Sequence, residues 1–306
     1  MSHFTVLIIG DEPEDQLVPY DESIEVAEYQ RDLVSPEDKE SFLNVYQNYD
    51  PTRTYAEISQ HEANVNKTLS FDELYEKYGD DWNSNSWRKN SDNEWAEMST
   101  YNPKSKWDWF QLGGRWSGFF KKKKGVKGKV GEPGVFKNEA PRGYCDQARK
   151  KDIDFEGMRV AEAKDSAKQY KKVRKIFGGK IPKVEFKWNT IIDDTEGQFS
   201  KMTIDEKRNF YHNQPACQET TLHQEELGYG FNIELYDCTL EEFVQKGRDN
   251  ACSTFAVVKN GEWFEKGQMG WWACVSNEKD NWNEEFNKLI DEASDDTLFS
   301  LYDCHI

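Results

Sequence analysis

The chain opens on an unbroken apolar run, Phe4-Thr5-Val6-Leu7-Ile8-Ile9, that stops at Gly10 and Pro13. A short run rich in β-branched residues predicts a strand buried on both faces and central in its sheet. From Asp11 to Tyr29 the chain is acidic, carries Pro13 and Pro19 and shows no helical period, which predicts a loop. Ser35 followed by Pro36 marks a helix start, with Phe42, Leu43, Val45 and Tyr46 as its apolar face and an end near Asn48. Ser70-Phe71-Asp72-Glu73 fits a capping box, and Phe71, Leu74, Tyr75 and Tyr78 follow at helical spacing until Gly79. Asp80 to Ser99 is polar and asparagine-rich, and predicts a loop held by Trp82, Trp87 and Trp95.

Trp107 to Phe120 alternates aromatic and polar residues around Gly113-Gly114, the pattern of a hairpin or a sharply bent strand pair. The lysine- and glycine-rich run from Lys121 to Lys129 cannot bury itself and predicts a mobile loop. A charged helix is expected from Asp154 to Phe177, ended by Gly178-Gly179, and then an alternating strand from Val184 to Trp188. Thr203 to Glu226 reads as a helical hairpin or irregular insertion, because Pro215 forbids one continuous helix. Beyond it, Thr239 caps a helix, Ser253 to Val258 forms a strand, Asn260-Gly261 turns a hairpin into Glu262-Trp263-Phe264, and Gly270 to Val275 forms another strand. A helix from Asn281 to Ala293 and a closing strand from Thr297 to Cys304 end the pattern. The apolar runs sit at the two ends, so the expected fold is α+β, a central sheet of N- and C-terminal strands with flanking helices and an inserted basic, aromatic lobe. The expected division is 1–103 and 230–306 as parts of the core, with 104–229 as the insertion.

Composition changes this picture in two ways. The hydrophobic share is 36%, yet 14% aromatic residues, with 11 tryptophans among 306 residues, supply the large apolar surface of a folded protein. The net charge of −17 is unevenly distributed: residues 1–103 hold 7 basic and 23 acidic side chains, 104–187 hold 24 and 10, and 188–306 hold 9 and 24. A basic segment between two acidic ones is a solvated face, a means of attracting other copies, or a binding surface. The six cysteines are widely spaced without a C-x-x-C pair, which suits reduced thiols in a cytosol. The N-terminal apolar run is too short for a signal peptide or a membrane span, so neither secretion nor anchoring is expected.

No constellation specifies chemistry. Gly125, Gly128, Gly131 and Gly134 recur among lysines, but their spacing fits neither phosphate-binding glycine motif. His3, His61, His212, His223 and His305 lack the paired spacing of a zinc site, although His3 and His305 approach one another if the first and last strands pair. No cysteine lies in a context that lowers its pKa. The expectation is a protein with no catalytic residue, metal or cofactor. The basic segment joins phosphate-neutralising lysines to Trp107, Trp109 and Trp116, which either stack on bases or pack internally.

Three stretches carry a resemblance: MSHFTVLIIGDEPEDQLVPYDE at the start, YNPKSKWDWFQLGGRW in the middle, and KGQMGWWACVSNEKDNWNEEFNKLIDEASDDTLFSLYDCHI at the end. They resemble a family encoded by tailed bacteriophages and their prophages, with Gly113-Gly114-Arg115-Trp116 and Gly270-Trp271-Trp272 as its most distinctive strings. In size and character the chain is also similar to phage inhibitors of the Gabija bacterial defence system. That likeness implies an anti-defence protein of the host cell cytoplasm, a homo-oligomer that encloses a nuclease and helicase complex and blocks its DNA binding and cleavage without catalysis. Exposure and charge then nominate Lys121, Lys122, Lys123, Lys124, Lys127 and Lys129, with Trp82 and Trp87 as exposed aromatic anchors. Two alternatives stand beside it. A nucleic-acid-binding accessory protein of phage replication would use the basic middle lobe, and an enzyme would show a deep pocket of converging polar groups.

Overall fold

A computed structural model describes residues 2–52, 58–80, 82, 86–135, 139–270 and 274–306. It divides into two compact units, residues 1–18 with 109–306, and residues 19–108. The insertion is therefore the acidic helical region, and the segment after residue 108 belongs to the core unit. The reason is pairing: Trp109–Leu112 adds to the last strand of the main sheet instead of folding on itself as a hairpin.

The larger unit is α+β. Its mixed six-stranded sheet runs in the order Glu262–Glu265, Ala256–Lys259, His3–Ile9, Leu298–His305, Trp109–Leu112, with Gln147–Arg149 pairing the near end of Leu298–His305. The first strand is central as its composition demands, antiparallel to the last strand and parallel to Ala256–Lys259. On one sheet face Leu7, Ile9, Val257, Phe299 and Leu301 meet Trp282 and Phe286 of the helix Trp282–Asp291, together with Phe120 and Phe155. The same face turns polar towards the other end of these strands, where Thr5 lies opposite Asp303 and His3 opposite His305.

The long helix Phe155–Ile176 starts on the Asp154 side chain, which accepts from the Gly157 N–H, and ends at Gly178 and Gly179 with positive φ. It packs on the helix Leu240–Asn250, whose capping box joins Thr239 and Glu242. The Asn260-Gly261 hairpin and the helices on either side of Pro215 form as expected. Val184 to Trp188 does not form a strand. Phe186 instead seats its ring 5.3 Å from Phe199 and 5.8 Å from Phe210, so the alternation reflects pegs into a helical cluster. Of the expected strand Gly270 to Val275, Trp271, Trp272 and Ala273 lie outside the described residues, and Val275–Ser276 pairs with Gln268–Met269.

The smaller unit contains the helices Pro36–Gln47, Gln60–Asn66 and Phe71–Tyr78, capped by Ser35, Ser59 and Ser70. The predicted loop from Asp80 to Ser99 contains the strands Trp87–Lys89 and Trp95–Ser99, which pair across a turn with Asn93 at φ 62°. Tyr29–Leu33 completes that sheet. The predicted loop after Gly10 begins with a short helix, Pro13–Leu17, because Leu17 is drawn into full burial. No helix among the described residues is long and apolar enough to cross a membrane.

Candidate functional site

The nominated lysines are held more firmly than a mobile loop. Lys121 pairs its strand with Tyr144 and sets Nζ 2.7 Å from Asp154 Oδ2, a bond that pushes the amine up and holds the Asp154 carboxyl below its ordinary range. The Lys122 N–H donates to Gly143 O at 2.8 Å, the Lys123 N–H to Asp152 O at 2.8 Å, and Lys123 Nζ to Lys151 O at 2.7 Å. Lys129 exchanges main-chain bonds with Gln147 at 2.8 and 3.0 Å. The run is thus pinned at both ends, and Lys124 and Lys127 stand exposed at its tip.

Trp82 and Trp87 are not exposed anchors. Trp87 is 4% exposed, packed with Phe42, Tyr46, Leu74 and Tyr75, and its backbone N–H donates to the Tyr75 hydroxyl at 3.1 Å. Trp82 is half-buried and stands edge-on to Phe42 at 5.5 Å. The described helices and strands of the smaller unit are short, and rings from a polar stretch fill its core. The polarity around these tryptophans concealed their burial.

Two buried carboxylates organise the larger unit. Asp146 is fully buried; its Oδ1 accepts from the Gly118 and Phe119 N–H groups at 2.5 and 3.2 Å, and its Oδ2 from Ser117 Oγ and the Gly131 N–H at 3.1 and 2.8 Å. This carboxylate ties the Gly113–Phe119 turn to the end of the lysine run. Gly131 passes so close to Leu112 that any Cβ would collide with the Leu112 carbonyl. Of the recurrent glycines, Gly131 and Gly134 serve close backbone approach, whereas Gly125 stands in open space at φ 84°.

Asp303, 1% exposed, accepts from the Arg115 N–H at 2.9 Å through Oδ2 and holds His3 Nδ1 at 2.8 Å through Oδ1. An ionised carboxylate only accepts, so the bond places a proton on Nδ1. Gly114, at φ 53°, crosses against Asp303 where a side chain would not fit. His3 lies between the rings of His305 and Trp109, at 4.9 and 6.1 Å. His3, Asp303 and Trp109 line a cavity of about 560 Å³ with Gln111, Arg115 and Glu132. An imidazole oriented by a buried carboxylate is the arrangement that takes a proton from a ligand or a bound water. Three separate stretches of the chain converge here, the N-terminal one with His3, the middle one with Trp109, Gln111 and Arg115, and the C-terminal one with Asp303. Sequence reasoning noted the approach of His3 and His305 but gave Asp303 no role.

Other reactive groups are quiet. Burial pushes the Cys145 thiol up to about 11 and Cys252 up to about 12, and raises Cys217, Cys238 and Cys304. A second cavity, of about 650 Å³, contains Tyr211, raised by burial and then by its bond to Glu234, beside Cys217. Among the described residues no group of three or more His, Cys, Asp or Glu is placed to hold a metal ion.

The long helix adds a feature that the expectation of a charged helix left unresolved. Lys164, Lys168, Lys171, Lys172 and Lys175 are all exposed and fall on one side of Phe155–Ile176, opposite the buried Phe155, Ser166 and Val173. Their spacing of four, seven, eight and eleven residues from Lys164 was legible, but only as a face and not as a count of charge. Comparison of the chain with family models, with curated proteins and with solved structures finds no match.

Proposed function

We propose that this chain is a phage-encoded anti-defence protein that binds and encloses a host antiviral nuclease complex of the Gabija type in the host cytoplasm, blocking its DNA binding and cleavage without catalysis of its own. The partner's identity rests on the resemblance of the three stretches. The observation that carries a binding role is the segregation of charge: the unit 19–108 holds 9 basic and 20 acidic side chains, whereas residues 109–187 hold 22 and 9. Opposite signs on separate parts of one chain steer copies together and towards a charged partner, setting rate and register more than affinity. The test is recovery of partners on the tagged protein from a nuclease-treated lysate, with the nuclease assayed against added inhibitor. Stoichiometric capture and loss of cleavage at one equivalent are expected; cleavage untouched at excess rejects the reading.

A second reading is favoured by one observation, the His3–Asp303 pair facing a cavity beside Arg115. On that reading His3 Nε2 acts as a general base on a ligand in the cleft. Turnover of any member of a panel of nucleotides and activated esters, abolished by His3→Ala, supports it; absence of turnover across the panel removes it.

A further inference from the structure

We infer that the lysine face of the long helix Phe155–Ile176 is a binding surface for the phosphodiester backbone of nucleic acid, a function beyond the inhibitor reading. The face consists of Lys164, Lys168, Lys171, Lys172 and Lys175. None of the five side chains has an ion pair or a hydrogen bond among the described residues, and none belongs to the residues with further partners. The chain carries 57 acidic side chains, and elsewhere in the same unit Lys121, Lys183 and Arg248 are each paired with one. Lys124 and Lys127 likewise have no ion pair among the described residues; what sets the five apart is that they share one face of one helix.

A solvated helix face normally alternates sign at four-residue spacing, which supports the helix. Here Lys164 and Lys168, Lys168 and Lys172, and Lys171 and Lys175 are like charges four apart, and each pair works against the helix. The helix dipole favours cations only in the last turn, which accounts for Lys175 and its neighbours but not for Lys164 and Lys168. An anion spread along the helix repays the arrangement. The five lysines extend over about 16 Å at about 1.5 Å per residue. One nucleic-acid strand presents a charge about every 3.4 Å, so that length faces about five phosphates. Most of the net charge of −17 is screened beyond a Debye length of about 8 Å at physiological salt, which leaves the exposed Glu162 and Asp165 of the same helix as the local opposition. A regular line of cations matches a linear polyanion better than the scattered carboxylates of a protein surface.

The test is fluorescence anisotropy of the full chain with a labelled random-sequence duplex and the matching single strand, between 50 and 200 mM NaCl, about the range over which counterion release is read. Five neutralised phosphates predict a slope of log K against log salt of about −4.5 for the duplex and about −3.5 for the single strand. Replacing Lys164→Gln, Lys168→Gln and Lys172→Gln together should weaken binding at least tenfold and reduce the duplex slope by about 2.7, with helicity retained because Gln is a good helix former. The pair Lys124→Gln and Lys127→Gln in the lysine run should leave most of the slope in place. No binding at the lowest salt, or an unchanged slope in the triple variant, overturns the inference. Self-association of the wild type that the triple variant loses, without nucleic-acid binding, overturns it in favour of a second copy as the occupant.

Discussion

Replacing Asp146 by Asn changes one atom and tests whether this carboxylate holds the glycine-rich turn to the lysine run. All four groups around it are donors: three backbone N–H groups, of Gly118, Phe119 and Gly131, and the Ser117 hydroxyl. Asn supplies one acceptor oxygen and an NH₂ that must face donors. If the NH₂ takes the Oδ2 side, Ser117 rotates to accept and Gly131 is orphaned; on the Oδ1 side both Gly118 and Phe119 are. An orphaned buried N–H costs about 1–3 kcal/mol, and the remaining bonds lose charge assistance, so Asp146→Asn should cost about 2–4 kcal/mol. Asp146→Ala orphans all three backbone groups and should take much of a total stability of about 5–15 kcal/mol, leaving little soluble protein. Peptide-resolved hydrogen exchange is the assay, since the chain has two units. Amides protected only by unfolding of the larger unit, including those of 298–305, should exchange about 30- to 1000-fold faster in Asp146→Asn, at about 1.4 kcal/mol per tenfold, while those of 36–47 in the smaller unit keep their rates. Unchanged exchange in 113–131 and 298–305 would refute the account of Asp146 as the tie.

Trp87→Ala should destabilise the smaller unit by about 3–5 kcal/mol, as for a fully packed aromatic, seen as a lower thermal midpoint; unchanged stability would return this residue to the surface. Among the cysteines, Cys274 is exposed while Cys145, Cys217, Cys252 and Cys304 are buried, so a maleimide should modify Cys274 first and leave those four until the chain unfolds. The Lys121 bond depresses Asp154, so its contribution is present above the ordinary carboxylate value near 3.8 and is lost as pH falls through the lowered value. Asp154→Asn keeps a helix cap but removes the charge, so its urea midpoint should fall less than that of the wild type on acidification below pH 4, about where free Asp titrates. An identical acid response in the two proteins would show that the pair adds nothing.

Much of the fold was legible because the signals were local. The capping residues Ser35, Ser70 and Thr239, the Gly178-Gly179 stop and the Asn260-Gly261 turn each act within a few residues, and each lies where its chemistry requires. What failed depended on distant partners. The Trp109–Leu112 segment has the alternation of a hairpin strand, but its partner lies almost two hundred residues on, and nothing in its own pattern says so. The domain boundary failed with it, since charge composition marked the basic segment as different without revealing that it completes the main sheet. The polar neighbours of Trp82 and Trp87 suggest exposure, whereas the small unit fills its core with rings from helices, strands and loop alike.

The same dependence explains why the cleft was invisible and why it belongs to function more than to stability. On the face shared by the first and last strands, Leu7, Ile9, Phe299 and Leu301 fill the core, and the pattern would continue with apolar residues at positions 3, 5, 303 and 305. It carries instead His3, Thr5, Asp303 and His305. Burying Asp303 is costly unless every lone pair is engaged, and a well-packed apolar residue would hold these strands at least as well. The Gly114 crossing and the Arg115 N–H are arranged around that carboxylate, and what they secure is the orientation of the His3 ring towards a cavity. An Asp303→Asn variant separates the two roles: its amide preserves shape but disfavours the Nδ1 proton. If Asp303 does not set the tautomer, the variant should lose stability and leave the His3 ring's NMR tautomer signature unchanged. A positioning Asp303 should shift that signature towards Nε2–H while the sheet stays folded.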